Sequence, residues 1–342
     1  MSATGSVRPR TAVVVGAGMV GLATAWWLQQ AGVRVTVVDR AGVAAGASQG
    51  NAGWLTPGMA TPLPEPAVLR YGLRAVLSPS SPVYVPVTAD PKLIRFLAGF
   101  VRNCTDRRWT RAMTALTALN RTAPAAFEAM AEGGVAEPVR EARPFLAAFR
   151  SDRDARALRT ELDQINEAGQ RIDFELISGA EARAANPLLS DRIAVALRLR
   201  DQHYTDPGGY VRSLADAVRQ RGGTVLTGRA VRDVVSRGGA VEVITEGGEP
   251  LRADVAVLAT GAWLGDLAGR LGVRVPVQAG RGYSFSVPAR ERPAGPVYFP
   301  AQRVACTPLG DRLRIAGMME FRRPEAAFDP RRIRAIVDAA RP

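Results

Sequence analysis

The feature that most constrains this chain is the run Thr11-Ala-Val-Val-Val-Gly16-Ala-Gly18-Met-Val-Gly21, taken with what flanks it. Ala12 to Val15 is a short β-branched run, which predicts a buried parallel strand. Leu22 to Ala31 has helical composition and is ended by Gly32. Val33 to Val38 predicts a second buried strand, and it stops on Asp39. In that order each glycine has its own task. Gly16 makes the tight turn, Gly18 lets backbone amides approach a pyrophosphate, and Gly21 lets helix and strand pack closely. The helix N-terminus adds unpaired N–H groups and partial positive charge at the same place. Asp39 stands where a carboxylate accepts ribose hydroxyls, and Arg40 beside it joins the candidate cofactor-binding set. A bare glycine motif is a weak signal. Strand, glycines, helix, strand and acid in register predict a dinucleotide site.

At 342 residues the chain is long enough for two domains, the better prior for this length. No apolar run is long enough to span a bilayer. Arg8 and Arg10 precede an apolar stretch, as in a signal peptide. The glycine motif interrupts that stretch and no small-residue cleavage site follows before Asp39, so it reads as folded strand and helix. Cys104 and Cys306 lie far apart and give neither a disulfide framework nor metal-ligand spacing, so no metal is expected and a cytoplasmic location is the default. The net charge of +13 invites a nucleic-acid reading. Yet Lys92 is the only lysine, and the arginines are spread among many Ala, Gly and Pro residues. Arg107-Arg108 and Arg331-Arg332 are no more than doublets, and no basic stripe is interleaved with aromatics. No nucleic-acid partner is expected. Peripheral attraction to an acidic membrane surface stays open.

Further along, Ala44 to Gly53 is a small-residue loop, and Pro57 to Pro91 is proline-rich with little periodicity. Lys92 to Asn103 and Ala112 to Glu132 have helical spacing, Val139 to Phe149 reads as a strand, and Asp152 to Ala168 as a helix ended by Gly169. Ile172 to Leu176 is a short strand, and Ser178 with Glu181 fits a capping box. From Asp206 a new α/β piece begins. Pro207-Gly-Gly precedes an amphipathic helix, Tyr210 to Arg221, with Val211, Leu214, Ala215 and Val218 on one face. Val225-Leu226, Val231 to Val235 and Val241 to Thr245 are short strands, and Asp254 to Gly261 is another buried parallel strand. Val275 to Val287, Val297 to Phe299, Val304 to Thr307 and Leu313 to Ala316 alternate like an antiparallel sheet, and Pro330 to Ala340 is a short amphipathic helix. This order predicts an α/β fold: a Rossmann-like FAD/NAD(P)-binding domain (8–91 and 201–275) interrupted by an α+β substrate domain (92–200 and 276–342) with a mostly antiparallel sheet.

The glycines and Asp39 alone do not separate a nicotinamide cofactor from a flavin. The later strand does more: Ala253-Asp-Val-Ala-Val-Leu-Ala-Thr260-Gly261-Ala-Trp263 is apolar, ends in a small-residue turn and follows a hairpin. That order suits the two-part nucleotide domain of flavoproteins. Here the residues resemble the FAD-dependent oxidoreductases of the D-amino-acid oxidase group, within it the bacterial D-amino-acid dehydrogenase branch. The resemblance runs from Ala12 to about Phe321. It is carried by the first glycine motif, the loop Ser48-Gln-Gly-Asn51-Ala52-Gly53-Trp-Leu-Thr-Pro-Gly58, and Asp206-Pro-Gly-Gly-Tyr before its helix. Val257-Leu-Ala-Thr260-Gly261-Ala-Trp263, Pro276-Val-Gln-Ala-Gly-Arg281-Gly282-Tyr283-Ser284 and Leu313-Arg-Ile-Ala-Gly317-Met-Met-Glu320 complete it.

By that resemblance Gly16, Gly18 and Gly21 hold the pyrophosphate and Asp39 the adenosine ribose. Ala47, Ser48, Asn51, Ala52 and Gly53 line the diphosphate and flavin edge, the Val231 backbone meets adenine, and Thr260-Gly261 approaches the cofactor from the other side. Tyr283 and Met319 resemble the pocket wall for substrate, and Arg281 is a candidate carboxylate clamp. The reaction it implies is oxidation of an amino acid (a D-amino acid, N-methyl glycine or a cyclic imino acid) by hydride transfer to FAD, with oxygen or a quinone reoxidising the flavin. Such chemistry needs geometry and water exclusion rather than a triad. Hence the only histidine, His203, reads as a structural residue in a linker. Gln49 and Asn51 stand where a covalently attached flavin would need a histidine, so non-covalent FAD is expected. Nothing after Glu320 resembles the group's closing strand, glycine-rich turn and helix, so that segment is expected to be missing from this sequence. Two further readings stay open: a truncated, inactive nucleotide-binding fragment, and an NAD-dependent dehydrogenase.

Overall fold

In the computed structural model of the chain, residues 8–65, 83–86 and 89–340 are described. In chain order the strands are β1 (Thr11–Val15), β2 (Arg34–Val38), β3 (Trp54–Leu55), β4 (Val83–Tyr84), β5 (Arg140–Glu141) and β6 (Phe145–Phe149). They continue as β7 (Phe174–Ser178), β8 (Val195–Leu199), β9 (His203–Tyr204), β10 (Thr224–Leu226), β11 (Val231–Arg237) and β12 (Ala240–Thr245). The last are β13 (Leu251–Ala253), β14 (Val255–Leu258), β15 (Gly280–Pro288), β16 (Val297–Phe299), β17 (Val304–Leu309) and β18 (Arg312–Phe321). The chain divides into two units, one of Met1–Gln49, Ala129–Pro138 and Pro207–Val277, the other of Gly50–Glu128, Val139–Asp206 and Gln278–Pro342.

The first unit is built on a parallel sheet in the order β10-β2-β1-β14. The valines of β1 and β2 are buried because such a sheet is covered on its faces. On one side Leu22, Ala25 and Trp26 of the helix Met19–Gln30 and Tyr210, Val211, Leu214 and Val218 of the helix Pro207–Gln220 are withdrawn from water. A second cluster joins Val13, Val15 and Val38 to Val234, Val243 and Ala253 of the antiparallel sheet β11-β12-β13. The Asp254 carboxylate ties the starts of β1 and β14 together, accepting the N–H groups of Arg10 and Thr11 at 2.6 and 2.9 Å. Those backbone donors hold its pKa below the usual carboxylate value. β14 is parallel as expected, but Val255 to Leu258 are half-buried rather than buried.

The second unit holds a sheet in the order β15-β18-β17-β16-β6-β8-β7, antiparallel except where β16 meets β6, with β4 added parallel to β18. Both faces are covered, which is why β6 reads Phe-Leu-Ala-Ala-Phe without alternation. Phe145, Ala147 and Phe149 pack with Leu158, Leu162 and Ile165 of the helix Asp152–Glu167. Leu146 and Ala148 share the other cluster with Tyr283, Val297, Val304 and Ile336 of the helix Pro330–Ala340. The capping box at Ser178 is formed, both of its hydrogen bonds present.

Several elements differ from the sequence-based expectation, each for a local reason. Val139 to Phe149 divides into β5 and β6, with Pro144 between them; proline cannot donate to a sheet ladder. The helix after Asp206 begins at Pro207, so Pro-Gly-Gly is its first turn rather than its approach. His203, expected in a linker, lies in β9, opposite Leu55 and Glu141. β8 was not expected at all. Gly50–Glu128 falls in the second unit, where Trp54 and Leu55 pair with β9. Of the proline-rich stretch, 66–82 and 87–88 lie outside the described residues.

Candidate functional site

In the first unit the glycines do what their positions require. A Cβ on Gly21 would stand 1.8 Å from the Gly16 carbonyl oxygen, and one on Gly16 would stand 2.5 Å from the Ala259 carbonyl oxygen. Gly16 also has φ +115°, a backbone conformation closed to most side chains. β1, the helix Met19–Gln30 and the turn after β14 can approach this closely only without side chains. At Gly18 the one atom near a built Cβ among the described residues is the Ser48 hydroxyl, at 3.2 Å.

Gly18 is the N-cap of the helix and supplies no side-chain cap, and no acidic residue lies in the first turn. Ser48 accepts the Met19 N–H at 3.0 Å. The positive end of the helix dipole therefore sits beside a hydroxyl and bare backbone.

Asp39, at the end of β2, is fixed by backbone donors. One carboxylate oxygen accepts the Ala17 N–H at 2.9 Å, and the other accepts those of Ala41 and Gly42 at 2.8 and 3.0 Å. A carboxylate offers about four lone-pair sites, so capacity for a hydroxyl donor is left. Arg40 stacks its guanidinium 3.9 Å from the Trp263 ring centroid. Arg229 donates its N–H to the Asp39 carbonyl at 2.9 Å, which brings the approach to Val231 alongside the acid. The Thr260 hydroxyl is buried and has no hydrogen-bond partner among the described residues, and Gly261 turns the chain at φ +57°. Ala47 and Ser48 lie in the short helix Ala47–Gly50. A helix N-terminus capped by a hydroxyl rather than a carboxylate, a glycine-lined turn, a held acid and an orphaned buried hydroxyl are what a dinucleotide diphosphate and ribose fit.

In the second unit Asn51, Ala52 and Gly53 continue that loop. The Asn51 side chain accepts the Gly53 N–H at 2.5 Å, and Gly53 has φ +79°. The Ala52 carbonyl accepts the Thr307 hydroxyl at 2.8 Å, and Thr307 accepts the Trp54 indole N–H at 2.8 Å.

The three substrate candidates are engaged differently. Tyr283 is buried and donates its hydroxyl to Glu320 at 2.8 Å. Burial first, and then the hydrogen bond to Glu320 and its charge, push that phenol's pKa up. Arg281 donates to the Ala326 carbonyl at 2.6 Å and lies 3.6 Å from Glu320. Met319 packs with Leu93, Phe96 and Phe321. Glu320, only 1% exposed, also lies 3.5 Å from Arg322 and 3.7 Å from Arg332.

Pairing of β15 with β18 shifts register between Gly282 and Tyr283, beside Met318 at φ +57°. Such a bulge re-aims side chains, so alternation counted from the sequence fails just there. Sequence reasoning missed Glu320, Thr307 and Arg314.

The DAO family, described as FAD dependent oxidoreductase, matches residues 11–342. A D-amino acid dehydrogenase of Vibrio vulnificus (strain CMCP6) is 30% identical over 327 residues, 93% of this chain and 77% of that protein. One from Xanthobacter autotrophicus is 32% identical over 331 residues, 93% of this chain and 76% of that protein. Among solved structures, glycine oxidase from Bacillus cereus ATCC 14579 superposes with a TM-score of 0.67 at 17% identity, covering 97% of this chain and 79% of that one. That likeness is one of fold.

Proposed function

We propose that this chain, which belongs to the DAO family of FAD-dependent oxidoreductases, oxidises the C–N bond of an amino acid, D-amino acids first, then N-methyl glycine and cyclic imino acids. The observation that carries the reading is the dinucleotide cradle around Gly16, Gly18, Gly21 and Asp39, joined to the likeness to D-amino acid dehydrogenases along nine-tenths of the chain. Bound FAD would supply the hydride acceptor, and the amino acid would leave as an imine, which water converts to a keto acid and ammonia where the amine is primary, and to a keto acid that keeps or releases the substituted amine where it is secondary.

The chain's own residues bind and orient. Ser48 and the amides at the start of the helix Met19–Gln30 meet the diphosphate, and Asp39 accepts the ribose hydroxyls. Arg40 with Trp263, Val231, Thr260 and Gly261 complete the nucleotide contacts, with Ala47 beside Ser48. Asn51, Ala52 and Gly53 carry the same loop on to the flavin. Tyr283 and Met319 are the residues we place on the substrate side. The Arg281 guanidinium is taken up by the Ala326 carbonyl and Glu320, which favours support of that wall over clamping a carboxylate. Oxygen or a quinone would serve as the final electron acceptor. The net charge of +13 supports peripheral attachment to acidic lipid, and among the described residues no helix is long and apolar enough to cross a membrane.

The test is anaerobic mixing of the purified protein with a panel of D-amino acids, hydroxy acids and polyamines. Bleaching of the flavin band by D-amino acids is expected. Bleaching by hydroxy acids or polyamines alone overturns the substrate class, and tight NAD binding with no flavin spectrum overturns the cofactor.

A further inference from the structure

Thr307 on β17 and Arg314 on β18 face each other directly across the strand pair, and both are buried. Together they reach two consecutive carbonyls of one loop. Arg314 donates to the Asn51 carbonyl at 3.2 Å, and Thr307 donates to the Ala52 carbonyl at 2.8 Å. The third carbonyl, of Gly53, accepts the Thr205 N–H at 2.8 Å. A second Arg314 nitrogen donates to the Ser286 hydroxyl at 2.9 Å, so the guanidinium bridges β15 and the loop. In a trans peptide the C=O and the following N–H point to opposite sides, so holding the Asn51 carbonyl toward Arg314 turns the Ala52 N–H away from β18.

Burying a guanidinium is costly, and packing alone would be served by an apolar side chain. What an apolar side chain cannot do is donate at once to a strand hydroxyl and to a loop carbonyl in a fixed fork. The neighbouring charges are Arg312 and Asp206, which pair with each other at 2.5 Å.

We propose that Thr307 and Arg314 are a carbonyl clamp that sets the backbone of Asn51 and Ala52 for the flavin, making Arg314 a positioning residue. The inference rests on the flavin reading above.

The test compares wild type with Arg314→Met, Arg314→Lys and Thr307→Val. Amide hydrogen exchange at Ala52 and Gly53 is measured on the cofactor-free protein, and FAD affinity follows from quenching of flavin fluorescence. Arg314→Met is expected to speed exchange and weaken FAD binding by roughly tenfold each, the equivalent of one charged hydrogen bond. Arg314→Lys restores most of both, since an ammonium still reaches a carbonyl, and Thr307→Val moves both by roughly threefold. If Arg314→Met does not fold, Thr307→Val, which keeps the arginine and the volume, decides. Exchange without a change in affinity, or affinity without a change in exchange, overturns the clamp. So do wild-type values for both. A wild-type loop that exchanges slowly in a protein taking up no FAD overturns the flavin reading, and the clamp's role with it.

Discussion

The phosphate cradle of the first unit and the carboxylate hub of the second solve opposite problems. The cradle is made of backbone, and its specificity comes from side chains that are missing at Gly16, Gly18 and Gly21. The hub is made of side chains: Glu320 gathers Tyr283, Arg281, Arg322 and Arg332 from β15, from β18 and its continuation, and from the helix Pro330–Ala340. At Gly16 and Gly21 the backbone leaves no room for an added carbon. A hub of charges tolerates no removed one.

The sharpest way to break that contrast is Gly21→Val. With a Cβ 1.8 Å from a carbonyl oxygen neither strand nor helix can give way, and the loss should exceed about 4 kcal/mol. Gly42→Ala, where a Cβ meets nothing within 4 Å, is the control and should leave the urea midpoint near that of wild type. Equal midpoints for the two variants would remove the steric account of the cradle.

Next in size is Glu320→Gln. It leaves buried guanidinium charge without its counter-ion and should cost about 3 kcal/mol, while Tyr283→Phe, which removes one hydrogen bond, should cost about 1 kcal/mol. If the two cost the same, the charges at the hub are not what holds it.

A third prediction concerns a half-buried acid in the second unit, Glu65. Burial, and then the charge of Glu161, push the Glu65 carboxyl up to about 7, against a smaller opposing pull from Arg303. In the unfolded chain the same group titrates near its ordinary value, so between the two the folded protein holds the extra proton. The stability this one group contributes is therefore fully present below about pH 4.5 and is lost as the pH rises through about 7. Discounted for partial exposure, the loss is about 2 kcal/mol. Glu65→Gln should flatten thermal stability across that window and stabilise the protein at pH 8. A slope unchanged by the substitution would assign the pH dependence elsewhere.

The smallest effect is expected of Ser48→Ala. It removes the acceptor for the Met19 N–H and should cost about 1 kcal/mol, together with a few-fold weaker FAD binding. Unaltered FAD affinity would show that the helix N-terminus needs no help from the loop.

Why the cradle was legible and the hub was not follows from range. Gly16 to Asp39 is one local unit, and each residue type there has a local reason: a turn, a close packing, a strand end. The strand Phe145–Phe149 was legible in part, but Pro144 set its start where periodicity could not. Tyr283 and Met319 were found on neighbouring strands, yet the register shift beside Met318 decides where each points. No local pattern carries that shift. Arg314 and Thr307 were passed over because a polar residue within an alternating strand reads as outward-facing. Here both are buried against a loop more than two hundred residues earlier in the chain.

The bond from Arg10 to Asp254 spans 244 positions, and that distance has a temporal meaning. β1 leaves the ribosome long before β14, and β2 long before β10, although these are their sheet neighbours. At about 5–20 residues per second the wait is roughly 12–50 s. During it the nascent valine strands have one another and open edges but no lasting partners. Synthesis speed through the intervening segment, and chaperones that shield edges, then govern yield as much as final stability does.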